Sequence, residues 1–191
     1  MKNYMMTKTA PEMSLDRHKI DLLYRRDEIE VRVQELGEQI SKDYAGTTPV
    51  LVGALKGCFV FMADLARAIS IPLELEFISA ASYRNGAEQD DTIAVGPAPT
   101  LSIKGRDVLF VEGVVDSGRT AEAVIQRLKI DEPNSIEIVT LLHKTHSSKL
   151  SFPLKYVGYE IEDLFVVGYG LDYSQLYRNL NFIGHVREFE K

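Results

Sequence analysis

The stretch VLFVEGVVDSGRTAEAV, residues 108–124, constrains the fold of this chain more than any other segment. Its apolar opening, residues 108–111, is short and β-branched enough for a buried strand. Residues 112–118 carry two acids and two glycines and read as a turn, and residues 120–128 read as a helix. Strand, turn and helix in that order form half of a β-α-β unit, with the turn beyond the carboxyl end of the strand.

The same order recurs around it. Residues 27–44 place Ile29, Val33, Leu36, Ile40 and Tyr44 at three- and four-residue steps, an amphipathic helix that Gly46 stops. The apolar run 50–55 predicts a buried strand. Residues 59–69 are apolar nearly all round, as in a helix pressed on a sheet, and Pro72 opens a strand at 73–78. Further strands are expected at 136–142, 156–159 and 165–167. Strands alternating with helices predict an α/β fold with a central, mostly parallel sheet covered on both faces, its ligands beyond the carboxyl ends of the strands. Residues 84–100, RNGAEQDDTIAVGPAPT, are too long and too rich in Gly, Pro and acids for an ordinary connection, which predicts a mobile functional loop.

Composition narrows the function. A chain of 191 residues with 45% hydrophobic side chains is long enough for one domain with its own core. Its 22 basic and 28 acidic residues give a net charge of -6, the wrong sign for a surface that wraps nucleic acid. The single cysteine, Cys58, excludes a disulfide scaffold and fits a reducing compartment. The opening MKNYMMTKTAPEMSLD has no apolar signal run, and no stretch is long enough to span a bilayer. The expectation is a cytoplasmic protein with neither nucleic acid nor membrane as partner.

The turn after residue 111 is suited to an anion. Gly118 can take a backbone that exposes N–H groups, Ser117 and Thr120 add hydroxyl donors, and the helix N-terminus adds partial positive charge. Neither a Gly-x-x-x-x-Gly-Lys-Ser/Thr loop nor a Gly-x-Gly-x-x-Gly fingerprint is present, so neither nucleotide fold follows. Glu112 and Asp116 beside a phosphate would be unfavourable unless they faced a sugar hydroxyl or a proton to be removed, which points to a phosphorylated sugar. The plainer reading has Asp116 capping the helix and Glu112 ending the strand. His143-x-x-His146 has no further histidine or cysteine nearby and reads as a solvated loop rather than a metal site. Tyr156, Tyr159, Tyr169 and Tyr173 read as packing residues, and the charge run 25–28 as a solvated helix start.

The 108–124 stretch resembles the phosphoribosyl pyrophosphate motif of type I phosphoribosyltransferases. VGALKG (52–57), the Ser82-Tyr83 pair, LLHKT (141–145) and FVVGYGLDYSQLYRNLNFIG (165–184) resemble the hypoxanthine-guanine branch. The resemblance spans about residues 50–186. It implies that family's fold in a single domain: a core over about 27–170, a small hood from the N-terminal segment and about 171–191, and a mobile loop over about 82–100. It also implies a purine-salvage transferase in which pyrophosphate is displaced from phosphoribosyl pyrophosphate by a 6-oxopurine through an oxocarbenium-like transition state, giving IMP or GMP.

By the same resemblance, Asp116 accepts the purine N7 proton and Glu112 holds ribose hydroxyls. Ser117, Gly118, Arg119 and Thr120 cradle the 5'-phosphate, and Lys144 meets the exocyclic oxygen. Phe165 stacks on the base and the Val166 backbone reads its edge. Lys56 and Gly57 form the pyrophosphate loop, with a cis peptide expected at Leu55-Lys56, and Arg178 reaches the leaving group. Ser82 and Tyr83 open the lid. Magnesium is the implied cofactor, with Glu112 and Asp172 as its carboxylates, and the implied assembly is a homodimer or homotetramer.

Three features depart from the family pattern. Gly113 replaces a second acid, which predicts weaker binding of phosphoribosyl pyrophosphate. His146, Ser147 and Ser148 stand where an arginine usually follows Lys144, leaving Lys149 as the nearest cation. Cys58 replaces a smaller residue. These departures keep open an alternative on the same fold: a nucleotide-sensing regulator with weak or no transferase activity, whose contact with RNA would show a marked salt dependence.

Overall fold

In the computed structural model, which describes residues 18–83, 92–97 and 99–189, six strands form the main sheet. They are β2 (Val50–Leu55), β3 (Glu74–Tyr83), β4 (Thr92–Val95), β5 (Asp107–Val115), β6 (Ser135–Lys144) and β7 (Leu154–Ile161), in the order β4-β3-β2-β5-β6-β7. All neighbours are parallel except β3 and β4. The apolar runs of β2 and β5 are continuous because both faces are covered. Leu51, Leu109 and Val111 pack with Ile29, Val33, Leu36 and Ile40 of α1 (Arg26–Asp43) and with Phe61, Met62 and Leu65 of α2 (Phe59–Ala68). Val50, Val52, Val108 and Phe110 pack with Ala121, Val124, Ile125 and Leu128 of α3 (Arg119–Lys129). Truncating a fully buried residue such as Leu109 to alanine is expected to cost about 2–5 kcal/mol.

A second, three-stranded antiparallel sheet has the order β1-β9-β8, formed by β1 (His18–Tyr24), β9 (Ile183–Phe189) and β8 (Val166–Val167). Among the described residues no helix is long and apolar enough to cross a membrane.

Several local expectations are corrected. The strand read at 165–167 belongs to the small sheet, because Val166 and Val167 pair with His185 and Gly184 of β9 and not with β7. No helix separates β6 from β7. Residues 112–115 are not a turn: β5 continues to Val115, since Glu112, Val114 and Val115 find partners in Thr140, Leu142 and His143 of a longer β6. α2 is not buried all round; Phe59 is exposed. Part of the expected loop is strand, because Ile93, Ala94 and Val95 pair with Ser82, Ala81 and Ala80, which also puts Ser82 and Tyr83 inside β3. The expected mobility of residues 84–91 falls outside the described residues.

Candidate active site

The register of β5 and β6 creates the central feature. Val115 pairs with His143, so Asp116, the next residue after β5, emerges beside Lys144, the last residue of β6. Lys144 is only 7% exposed, and an ammonium taken that far from water needs counter-charge. It has two: its Nζ donates to Asp116 Oδ2 at 2.6 Å and to Asp163 Oδ1 at 3.1 Å. Ser147 Oγ donates to Asp116 Oδ1 at 2.7 Å.

Burial pushes the Asp116 pKa up, but the hydrogen bonds from Lys144 and Ser147 and the Lys144 charge outweigh it and hold the carboxyl below its ordinary value. Burial likewise pushes Lys144 down, and its bonds to the two aspartates reverse the sign. At neutral pH the group is a carboxylate-ammonium-carboxylate cluster. Sequence reasoning missed Asp163 and Ser147. Neither lies in a periodic element, and only the return of β7 beside β6 brings Asp163 to Lys144.

Below this cluster α3 begins. Its N-cap is Gly118, with φ 83°, and a Cβ there would meet Leu150 Cβ at 2.8 Å, so glycine is required both by the left-handed backbone and by the space. Ser117 and Arg119 are exposed and Thr120 is half-buried around the first turn. The first N–H groups of a helix have no partner inside it, and with the hydroxyls of Ser117 and Thr120 they offer donors to an anion. Lys149 donates its N–H to Ser117 O at 3.1 Å, so the segment after β6 braces this turn.

Glu112 has a different environment. One carboxylate oxygen, Oε2, is buried without a hydrogen-bond partner among the described residues. Desolvation pushes its pKa up to about 8, so the carboxyl is mostly protonated at pH 7. The Cys58 thiol is pushed up to about 12, first by its own burial and then by the charge of Glu112. Gly113 points to the other face of the strand, against Gly57 and Leu171.

A second group of side chains is gathered by turns. Lys56 follows the cis peptide Leu55-Lys56, and its Nζ donates to Gln175 Oε1 at 3.3 Å. Arg178 Nη2 lies 2.6 Å from Asp172 Oδ1, and its Nη1 donates to Gly170 O at 2.7 Å. Gln175 N–H donates to Asp172 Oδ2 at 2.7 Å. The backbone is left-handed at Gly168, Tyr169, Gly170, Ser174, Gln175 and Tyr177, a concentration of unfavourable conformations typical of functional loops. Gln175, also missed, joins Lys56 to Arg178.

Phe165 is 40% exposed and packs edge-to-face on Tyr173, with ring centroids 5.4 Å apart, and Val166 follows it buried at the start of β8. Ser82 and Tyr83 end β3, two strands from β5. Glu112 and Asp172 belong to no cluster of three or more metal-ligating side chains among the described residues. Two open clefts, of about 460 and 700 Å³, lie along α1, and of these candidate residues only Arg178 lines either.

Comparison with known proteins places this geometry. The model of the phosphoribosyl transferase domain matches residues 20–174. The hypoxanthine phosphoribosyltransferase of Salmonella typhimurium is 41% identical over 172 residues, covering 89% of this chain and 97% of that protein. The hypoxanthine-guanine phosphoribosyltransferase of Dictyostelium discoideum is 41% identical over 172 residues, covering 88% and 96%. A solved structure of a hypoxanthine phosphoribosyltransferase from Staphylococcus aureus superposes with a TM-score of 0.84 at 38% identity, covering 94% of this chain and 97% of that one.

Proposed function

Because the chain belongs to the type I phosphoribosyltransferase family, in its hypoxanthine-guanine branch, we propose that it moves the 5-phosphoribosyl group from phosphoribosyl pyrophosphate to hypoxanthine or guanine. The products are IMP or GMP and pyrophosphate. The observation that carries this reading is the pairing of Asp116 with Lys144 at the ends of adjacent parallel strands, directly over the α3 anion cradle.

In the reaction the bond from the sugar's anomeric carbon to the pyrophosphate oxygen breaks, and a bond from that carbon to a purine ring nitrogen forms. The purine loses its N7 proton to Asp116. Asp116 and Lys144 satisfy one another in the free protein, so binding is an exchange: the 6-oxo group accepts from Lys144 Nζ while Asp116 turns to the N7–H. Asp163 keeps the ammonium paired during that exchange, and Ser147 holds the other Asp116 oxygen. Loss of the Lys144 bond relieves the depression of the Asp116 pKa, which makes it a stronger base when one is needed. The 5'-phosphate sits on Ser117, Gly118, Arg119 and Thr120, and Phe165 offers its exposed ring face to the base.

Lys56 and Arg178 meet the departing pyrophosphate. A divalent magnesium ion takes one or two carboxylates and completes its shell with phosphate oxygens and water, so a site with few protein ligands fits it. Asp172 would supply one hard oxygen donor, shared with the Arg178 and Gln175 contacts it makes in the free protein, and the unpartnered Glu112 oxygen supports a role toward a ribose hydroxyl or an ion-bound water. Magnesium held there would supply charge neutralisation for the leaving group.

A steady-state assay with phosphoribosyl pyrophosphate, magnesium and each of hypoxanthine, guanine, xanthine and adenine tests the reading. Turnover of hypoxanthine or guanine but not adenine is expected. If nucleotide binds and no base turns over, the sensing alternative stands in its place.

A further inference from the structure

Gly113 lies in β5 between Glu112 and the two valines that lead to Asp116. A Cβ at this position would stand 2.8 Å from the Gly57 carbonyl oxygen, 3.2 Å from its carbon and 3.1 Å from Leu171 Cδ2. A backbone oxygen at that distance excludes any side chain until the loop moves. The same oxygen lies 2.8 Å from where a Cβ on Gly170 would stand, and Gly170 has φ 97°. Two positions without side chains therefore flank one carbonyl. Gly170 is in turn tied to Arg178: its N–H donates to Arg178 O at 3.0 Å, and its carbonyl accepts from Arg178 Nη1 at 2.7 Å.

We propose that Gly113 is a positioning residue for the leaving group: its missing side chain lets the Gly57 carbonyl close on β5, and this contact sets where Lys56 and Arg178 stand. The inference rests on the phosphoribosyl-transfer reading for the identity of that group. It changes the meaning of a departure from the family pattern. By motif alone, glycine here is a lost ribose contact, and restoring an acid should strengthen binding. By geometry, an acid pushes Gly57 off β5 and off Gly170, displacing the loop that holds pyrophosphate, and binding weakens.

The test uses the full chain carrying Gly113→Ala or Gly113→Asp, assayed well below each variant's melting temperature. Gly113→Ala is expected to raise the KM for phosphoribosyl pyrophosphate and the Kd for magnesium pyrophosphate about tenfold, with the hypoxanthine KM within about twofold. Gly113→Asp is expected to raise the first two further. A purely structural role would instead lower kcat through the folded fraction and leave both KM values alone. The proposal is overturned if Gly113→Asp binds phosphoribosyl pyrophosphate as well as the parent does, or if Gly113→Ala shifts both KM values equally or neither. Should Gly113→Asp fail to fold, Gly113→Ala decides, since its methyl meets the same Gly57 carbonyl oxygen at 2.8 Å with the smallest added volume. Calorimetric titration with magnesium pyrophosphate needs no turnover. A parent protein that binds pyrophosphate but turns over no base therefore sinks the transfer reading and leaves this contact to be judged by its own binding shift.

Discussion

At the ends of β5 and β6, Asp116, Lys144 and Asp163 stand on or just past regular parallel strands and neutralise one another. Across the site, Lys56, Asp172, Gln175 and Arg178 are gathered by turns, held by backbone carbonyls and by glycines that permit close approach. The first group is fixed by the sheet, so a substitution there changes charge and proton transfer while the scaffold persists. The second depends on contacts between loops, so a substitution there moves its neighbours as well. Changes at the strand ends should therefore appear in kcat and in base recognition, and changes in the turns in the affinity for phosphoribosyl pyrophosphate.

The strongest test of that division is Asp116→Asn, which keeps the shape and removes the proposed proton acceptor. A fall in kcat of about 10²–10⁴ is expected, with the KM for phosphoribosyl pyrophosphate nearly unchanged. A large rise in that KM with kcat preserved would break the comparison. Arg178→Ala should do the reverse. It deletes a cation proposed for the leaving group together with the anchor of the Gly170 carbonyl, and kcat/KM for phosphoribosyl pyrophosphate should fall about 10²-fold while hypoxanthine affinity holds.

The same contrast explains what could be read in the sequence. Strand, glycine and helix each leave a periodic or steric mark, so the strand and helix that flank Gly118 and the buried face of α1 through Ile29 are legible from residues alone. The roles of Lys56, Asp172 and Arg178 entered only through family resemblance, because bridges and left-handed turns have no period. β1 and β9 left no clear mark either: their pairing joins residues near opposite ends of the chain. At Gly113 the motif records a missing side chain, whereas the structure shows the Gly57 carbonyl in the space that side chain would take.

Glu112 belongs to neither group, and its Oε2 is buried without a hydrogen-bond partner among the described residues. Its folded pKa, about 8, lies above the ordinary carboxylate value of 4.5 because burial disfavours the charge. The folded protein then holds a proton that the unfolded chain has lost between those values, so stability falls as pH rises through that window. Glu112→Gln removes the effect. In chelator-treated protein, the melting temperature of the parent should decline from pH 5 to pH 8 relative to the variant, by about 2–4 °C for each kcal/mol lost. Parallel curves would place a hydrogen-bond donor or cation beside Glu112 and refute its isolation.

The smallest effect separates the two aspartates on Lys144. Asp163 is the more exposed and the more distant, at 3.1 Å against 2.6 Å for Asp116, so as an ion pair in the free protein it contributes little. In the proposed exchange its importance lies in the complex, where Asp116 turns to the purine and Lys144 would otherwise face the base as a buried ammonium with one neutral acceptor. Asp163→Asn leaves a hydrogen-bond acceptor and deletes that charge. The hypoxanthine KM should rise about three- to tenfold, the KM for phosphoribosyl pyrophosphate should stay put, and the melting temperature should move little. Because the Lys144 pKa is held up partly by Asp163, the alkaline limb of kcat/KM for hypoxanthine should also shift to lower pH. An unshifted limb with an unchanged KM would assign Lys144's hold on the base to Asp116 and the strand ends alone.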